Sequence, residues 1–163
     1  MLRPTALFVL LAITAACAGC LKPSVRMTQA QCTPEYVDNK LKALRFTTAF
    51  EARNLAEEQL LYEVALLDSS RRPLPTVTGR YSDAQGHMTA GKAIMVLRPY
   101  WEFSDVSVTL PASELEANGL TDVTWAEFRI RDARTGSVLA QQQVPVGEPS
   151  LAKAPPRAAQ PRT

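Results

Sequence analysis

The chain has 163 residues, of which 46% are hydrophobic, 21% charged and 7% aromatic, with eighteen basic residues against sixteen acidic ones. That balance fits one globular domain and excludes a collagenous, multi-span or wholly disordered chain. A net charge of +2 is too weak for a nucleic-acid binder, which carries a clustered basic face, so no nucleic-acid partner is expected.

The first twenty residues have the anatomy of an export signal. Arg3 supplies a positive start, and Ala6–Ala16 follows as eleven residues without a charge. As a helix that run measures roughly 16 Å, about half the hydrocarbon thickness of a bilayer, so it is too short for a mature anchor. Small residues come next, in Ala15-Ala16-Cys17 and Ala18-Gly19-Cys20. Each cysteine directly follows two small residues. This resembles the lipobox of bacterial lipoprotein signals, where the peptidase cuts before a cysteine whose thiol carries lipid. Small side chains let an extended backbone enter the peptidase, and the thiol accepts the diacylglyceryl group. Cys20 is favoured over Cys17, because it leaves the apolar run whole and follows glycine. The resemblance implies a lipid-anchored exported protein with no cofactor beyond its covalent lipid. Leu21, rather than Asp, follows Cys20. That implies the outer membrane of a Gram-negative bacterium, with the chain facing the periplasm or the surface.

Residues 1–19 are therefore expected to be a signal peptide, and 20–40 a tether ending in a short helix. Thr33-Pro34-Glu35 has a capping hydroxyl, proline at the first helical position and an acid in the first turn, predicting a helix over about 34–40. From there the period changes to two. Leu44, Phe46, Thr48 and Phe50 alternate with polar or small residues, as do Tyr62, Val64 and Leu66 within 59–67. Further strands are predicted at 76–81, 87–97, 103–110, 122–131 and 137–146. Turn clusters separate them, including 68–73, 82–86 and 132–136. Pro111–Leu115 reads as a helical turn ended by Asn118-Gly119. The fold class expected is all-β, a seven-stranded antiparallel β-sandwich (Ig-like or C2-like) over 41–146. Residues 147–163 are rich in proline and alanine and are expected to be a disordered tail.

The segments Ala49–Asn54, Tyr62-Glu63-Val64, Arg72-Pro73-Leu74, Gly79-Arg80-Tyr81, Asp83–Gly86, Asp105-Val106 and Leu110–Leu115 fall in a recognisable order. They resemble small β-sandwich modules of bacterial envelope and secreted proteins that carry an N-G-x-Y turn and an I-P-x-x-E-L turn. The chain departs from that pattern at Thr78, which precedes Gly79 where the modules have asparagine. The resemblance implies a fold and no catalytic residue.

The residues that could carry chemistry are few. His87 is the single histidine and follows a glycine turn. No nucleophile elbow, phosphate loop, dinucleotide fingerprint or zinc-protease motif occurs, so no catalytic residue and no enzyme activity are expected. Glu57-Glu58 and Glu114 with Glu116 read as solvated faces. Asp68, Asp83, Asp105, Asp122 and Asp132 sit at strand ends, where aspartate is the ordinary turn residue, so no metal site is assigned. Tyr100, Trp101 and Phe103 place three aromatics within four residues, too many for one face of a strand. Together with Trp125 they are the candidate partner-binding residues. The expected function is a lipid-anchored envelope lipoprotein whose sandwich is a non-enzymatic binding or assembly module with a protein partner. A calcium- or glycan-binding sandwich, or an enzyme acting on envelope polymers, is the alternative.

Overall fold

The computed structural model describes residues 22–147. The chain builds β1 (Ser24–Val37), β2 (Lys40–Arg53), β3 (Gln59–Leu67), β4 (Thr89–Met95) and β5 (Tyr100–Pro111), then helix α1 (Ala112–Ala117), β6 (Trp125–Asp132) and β7 (Val138–Pro145). The fold is all-β, with one short helix. One sheet has the order β1-β2-β5 and the other β4-β3-β6-β7, and every pairing is antiparallel.

The core lies between the sheets and follows the period-two pattern. Leu44, Phe46, Thr48, Phe50 and Ala52 of β2 are buried, and Leu60, Tyr62, Val64 and Leu66 of β3 meet them with Ala126, Phe128 and Ile130 of β6. Phe46 and Phe128 pack edge to face at 6.1 Å between centroids. The one large polar group here is satisfied, since the Tyr62 hydroxyl donates to the Phe46 carbonyl at 3.1 Å. Burial raises the Tyr62 hydroxyl well above its ordinary pKa, with a smaller contribution from Cys32.

The region expected to be a tether and a helix is instead the strand β1. Its register slips between Met27 and Gln29, a β-bulge that breaks the alternation from which a strand is read. Pro34 sits opposite Leu44 on an edge strand, the place in a sheet where proline is tolerated. Glu35, taken as a first-turn acid, forms an ion pair with Arg45 across the strands at 2.6 Å. The hairpin that follows has two loop residues, Asp38 (φ 50°) and Asn39 (φ 61°), the geometry of a type I′ turn. The expected domain boundary at 41 therefore falls inside the fold, which begins at Ser24.

A second correction concerns 76–81. No strand forms there; the chain between β3 and β4 is irregular, with only isolated bridges such as Leu67 to Pro73 and Pro75 to His87. Beside scattered backbone bonds such as Thr76 N–H to the Gly86 carbonyl, it is held by Asn118, whose side-chain oxygen accepts from the Thr76 hydroxyl and from the N–H groups of Val77 and Thr78. Asn118 is held by the end of α1. The Leu120 N–H bonds to the Leu115 carbonyl and the Gly119 N–H to the Glu116 carbonyl, a Schellman motif with Gly119 at φ 65°. The remaining strands lie where the alternation predicts them, with ends shifted by a few residues. The tail after Gly147 and the signal segment lie outside the described residues.

Candidate functional site

One end of the molecule gathers the start of β1, the end of β2, the end of β4 and the start of β5. Arg53 stands opposite both Ser24 and Tyr100 in the sheet, and Ala52 stands opposite Trp101. Two loops close the end. The Asn54 N–H donates to the Pro99 carbonyl at 2.6 Å and the Glu57 N–H to the Val96 carbonyl at 2.7 Å. Asn54 and Glu57 take positive φ values of 58° and 65° to do so. The Asn54 side chain also donates to the Lys22 carbonyl at 3.3 Å, which ties the first described residue to this end.

The aromatic cluster divides according to the strand alternation. Trp101 and Phe103 point to the core side and stack at 5.8 Å, and Phe103 stacks on Phe50 at 4.5 Å. They form the rim of the core and are half-buried. Tyr100 points outward and is 46% exposed. Its ring lies under the Arg53 guanidinium, 5.2 Å from the ring centroid, and the Arg98 guanidinium covers Trp101 at 5.4 Å. The Tyr100 hydroxyl donates to Glu102. That bond, reinforced by the nearby carboxylate charges, raises the hydroxyl above its ordinary value. Beside Tyr100, a shallow groove of about 240 Å³ is lined by Ser24, Arg26, Glu51 and Arg53, with an Arg53–Glu51 ion pair at 3.0 Å. Leu97 (63% exposed) and Met95 (50% exposed) lie at the same end, Met95 on the outer face of the other sheet opposite Gln59.

Trp125 is not part of this group. It lies opposite Leu67 and Pro145 at the other end of the second sheet, with the Arg71 guanidinium 4.5 Å above its ring. Arg53, Arg98, Met95 and Leu97 were not singled out from the sequence. Isolated arginines and aliphatics carry no local signal until the loops bring them together.

Asp105 lies exposed inside β5 rather than at a strand end, whereas the other four aspartates are occupied locally. Asp68 accepts from the N–H groups of Ser70 and Arg72, Asp83 from those of Gln85 and His87, and Asp132 from those of Arg134 and Thr135. The Arg72 N–H holds the Asp68 carboxyl below its ordinary value, and the Thr135 N–H does the same for Asp132. At Asp83 burial opposes ionisation, yet the His87 and Gln85 bonds outweigh it and the net shift is also downward. His87 contacts Asp83 at 3.2 Å. Asp122 accepts from Ser69 and Thr124. Among the described residues no three His, Cys, Asp or Glu side chains converge on a metal position.

Cys32 sits in β1 opposite Phe46 as a free, half-buried thiol. Burial pushes it up to about 12, so it carries almost no thiolate at neutral pH. Cys17 and Cys20 lie outside the described residues.

No family model matches the sequence, and no curated protein matches it. Among solved structures, the chain is similar to beta-glucosidase 3B from Thermotoga neapolitana in complex with alpha-D-glucose, at 14% identity and a TM-score of 0.42. The match covers 77% of this chain and 16% of that one. It is also similar to DesR, a beta-glucosidase from Streptomyces venezuelae in complex with D-glucose, at 10% identity and a TM-score of 0.37. There it covers 77% of this chain and 15% of that one. The chain spans about a sixth of the length of the solved structures it matches.

These likenesses correct one expectation. The sandwich was expected to be a non-enzymatic binding or assembly module, whereas the solved chains that contain a similar stretch are beta-glucosidases. That reading is withdrawn.

Proposed function

We propose that the chain is an exported lipoprotein in which Cys20 carries the lipid and holds the all-β domain at a membrane surface outside the cytosol. The observation that supports this most directly is the sequence of positive start, eleven-residue apolar run and Ala18-Gly19-Cys20. In the described residues β1 starts at Ser24, four positions after Cys20 in the sequence. Two or three acyl chains make such anchoring effectively stable, each buried methylene contributing about 0.8 kcal/mol. Leu21 after the cysteine supports the outer membrane as destination. Within this reading the two sheets form a seven-stranded sandwich of immunoglobulin-like or C2-like type.

Radiolabelled palmitate tests the proposal. The wild-type chain and Cys17→Ser take up label, Cys20→Ser does not, and membrane fractionation recovers the labelled protein with the outer membrane. Equal labelling of Cys20→Ser, or an unprocessed chain recovered in the cytosol, overturns it.

A further inference from the structure

We infer that the end of the domain formed by Leu97, Tyr100 and Arg98 rests directly on the lipid headgroups of the bilayer to which the chain is tethered. The inference rests on the anchoring proposed above and adds an orientation to it.

The first argument is reach. Lys22 is two residues beyond Cys20, so covalent geometry keeps their Cα atoms within about 7 Å of each other. The Lys22 carbonyl is bonded to Asn54, in the loop that closes this same end of the domain. A lipid on Cys20 therefore leaves no slack to lift this end away from the headgroup layer. The far end of the molecule, with Val77, Trp125 and the exit of the chain at Gly147, points away from it.

The second argument is surface chemistry. Leu97 and Met95 are large apolar side chains left 63% and 50% exposed, and Tyr100 is 46% exposed. All three lie at the tethered end. An aromatic ring with a polar tip beneath an arginine with an apolar stem, at the same end as exposed aliphatic side chains, suits the boundary between acyl chains and headgroups. Five cations at this end, Lys22, Arg26, Arg53, Arg98 and Arg134, are matched in number by five carboxylates, Glu51, Glu57, Glu58, Glu102 and Asp132. No net field therefore draws this end to anionic lipid. Apolar insertion carries the contact, and the Arg98 guanidinium, exposed above the Trp101 ring, meets phosphate.

The test places an environment-sensitive fluorophore on either end of the full-length, lipidated protein. Leu97→Cys and, separately, Val77→Cys are made in a Cys32→Ala background, with Cys20 retained for acylation. Val77 is 81% exposed and stands at the far end. The proteins are reconstituted into phosphatidylethanolamine–phosphatidylglycerol vesicles containing a doxyl-labelled phosphatidylcholine. The probe at 97 is expected to shift to the blue and lose most of its emission to the doxyl quencher, while the probe at 77 keeps its emission. Vesicle flotation with an unquenched probe at 97, or equal quenching at both positions, overturns the orientation and leaves the anchor standing. Shielding of the probe at 97 from aqueous iodide in native membranes without doxyl quenching indicates a protein on this surface and also overturns it. Failure of the lipidated protein to float with vesicles overturns the anchor and the orientation together.

Discussion

The side-chain oxygen of Asn118 accepts the backbone N–H of Val77 at 2.6 Å, across forty-one residues of sequence. The same oxygen takes the Thr76 hydroxyl and the Thr78 N–H, and the Asn118 amide donates to the Glu114 carbonyl at 2.7 Å. One side chain thus stands in for the strand pairing that the segment 76–81 lacks. Asn118→Ala is expected to destabilise the domain by about 1–3 kcal/mol, since it leaves several donors without partners. Urea unfolding measures this loss, and limited proteolysis should locate new cleavage between 74 and 82. Unchanged stability would show that the loop is ordered by other contacts.

Thr48 is fully buried, and its hydroxyl donates to the Gln29 carbonyl at 2.7 Å, beside the bulge in β1. Thr48→Val keeps the shape and removes the donor, so the carbonyl at the bulge loses its side-chain partner. A loss of about 1–2 kcal/mol is expected, against a smaller one for Thr48→Ser, which retains the hydroxyl. Thermal unfolding of the two variants side by side ranks them.

The lowered carboxyls of Asp68, Asp83 and Asp132 make the fold less stable in acid. Each has a folded-state pKa below its unfolded one, so the folded state binds fewer protons in the interval between them. Their contribution is present above the ordinary carboxylate value of about 3.9 and is lost as pH falls through the lowered values. Denaturant unfolding between pH 5 and pH 2 should show stability falling with acid. In Asp132→Asn the fall should be shallower, because the amide oxygen still accepts from Arg134 and Thr135 but does not titrate.

Cys32, held up to about 12 by burial, should resist thiol reagents in the folded protein at pH 8. In a chain carrying Cys17→Ser and Cys20→Ser, Ellman's reagent should react slowly without denaturant and at once with it. Fast reaction in the folded state would mean that β1 opens readily at the sheet edge.

Local pattern carried much of this architecture. The alternation of Phe46, Thr48 and Phe50, of Tyr62, Val64 and Leu66, and of Phe128 and Ile130 marks inward faces, because successive side chains of a strand point to opposite sides. The Pro111 and Asn118-Gly119 signals bracket α1 for equally local reasons. The apolar run Ala6–Ala16 and the Ala18-Gly19-Cys20 that follows it are likewise properties of the linear chain. Tertiary structure decided the rest. Met27 and Ala30 both reach the core although they are three residues apart, because a bulge set by pairing with β2 lies between them, and this concealed β1. Segment 76–81 reads as a strand but makes only scattered backbone bonds to 86–89, and a distant asparagine takes the N–H groups of Val77 and Thr78. Tyr100, Trp101 and Trp125 look alike as sequence, yet strand order puts the first two at the end where β2 meets the start of β5 and the third at the other. A side chain's face is a matter of its own strand, whereas its neighbours depend on which strands pair, and hydrogen bonding between distant segments settles that.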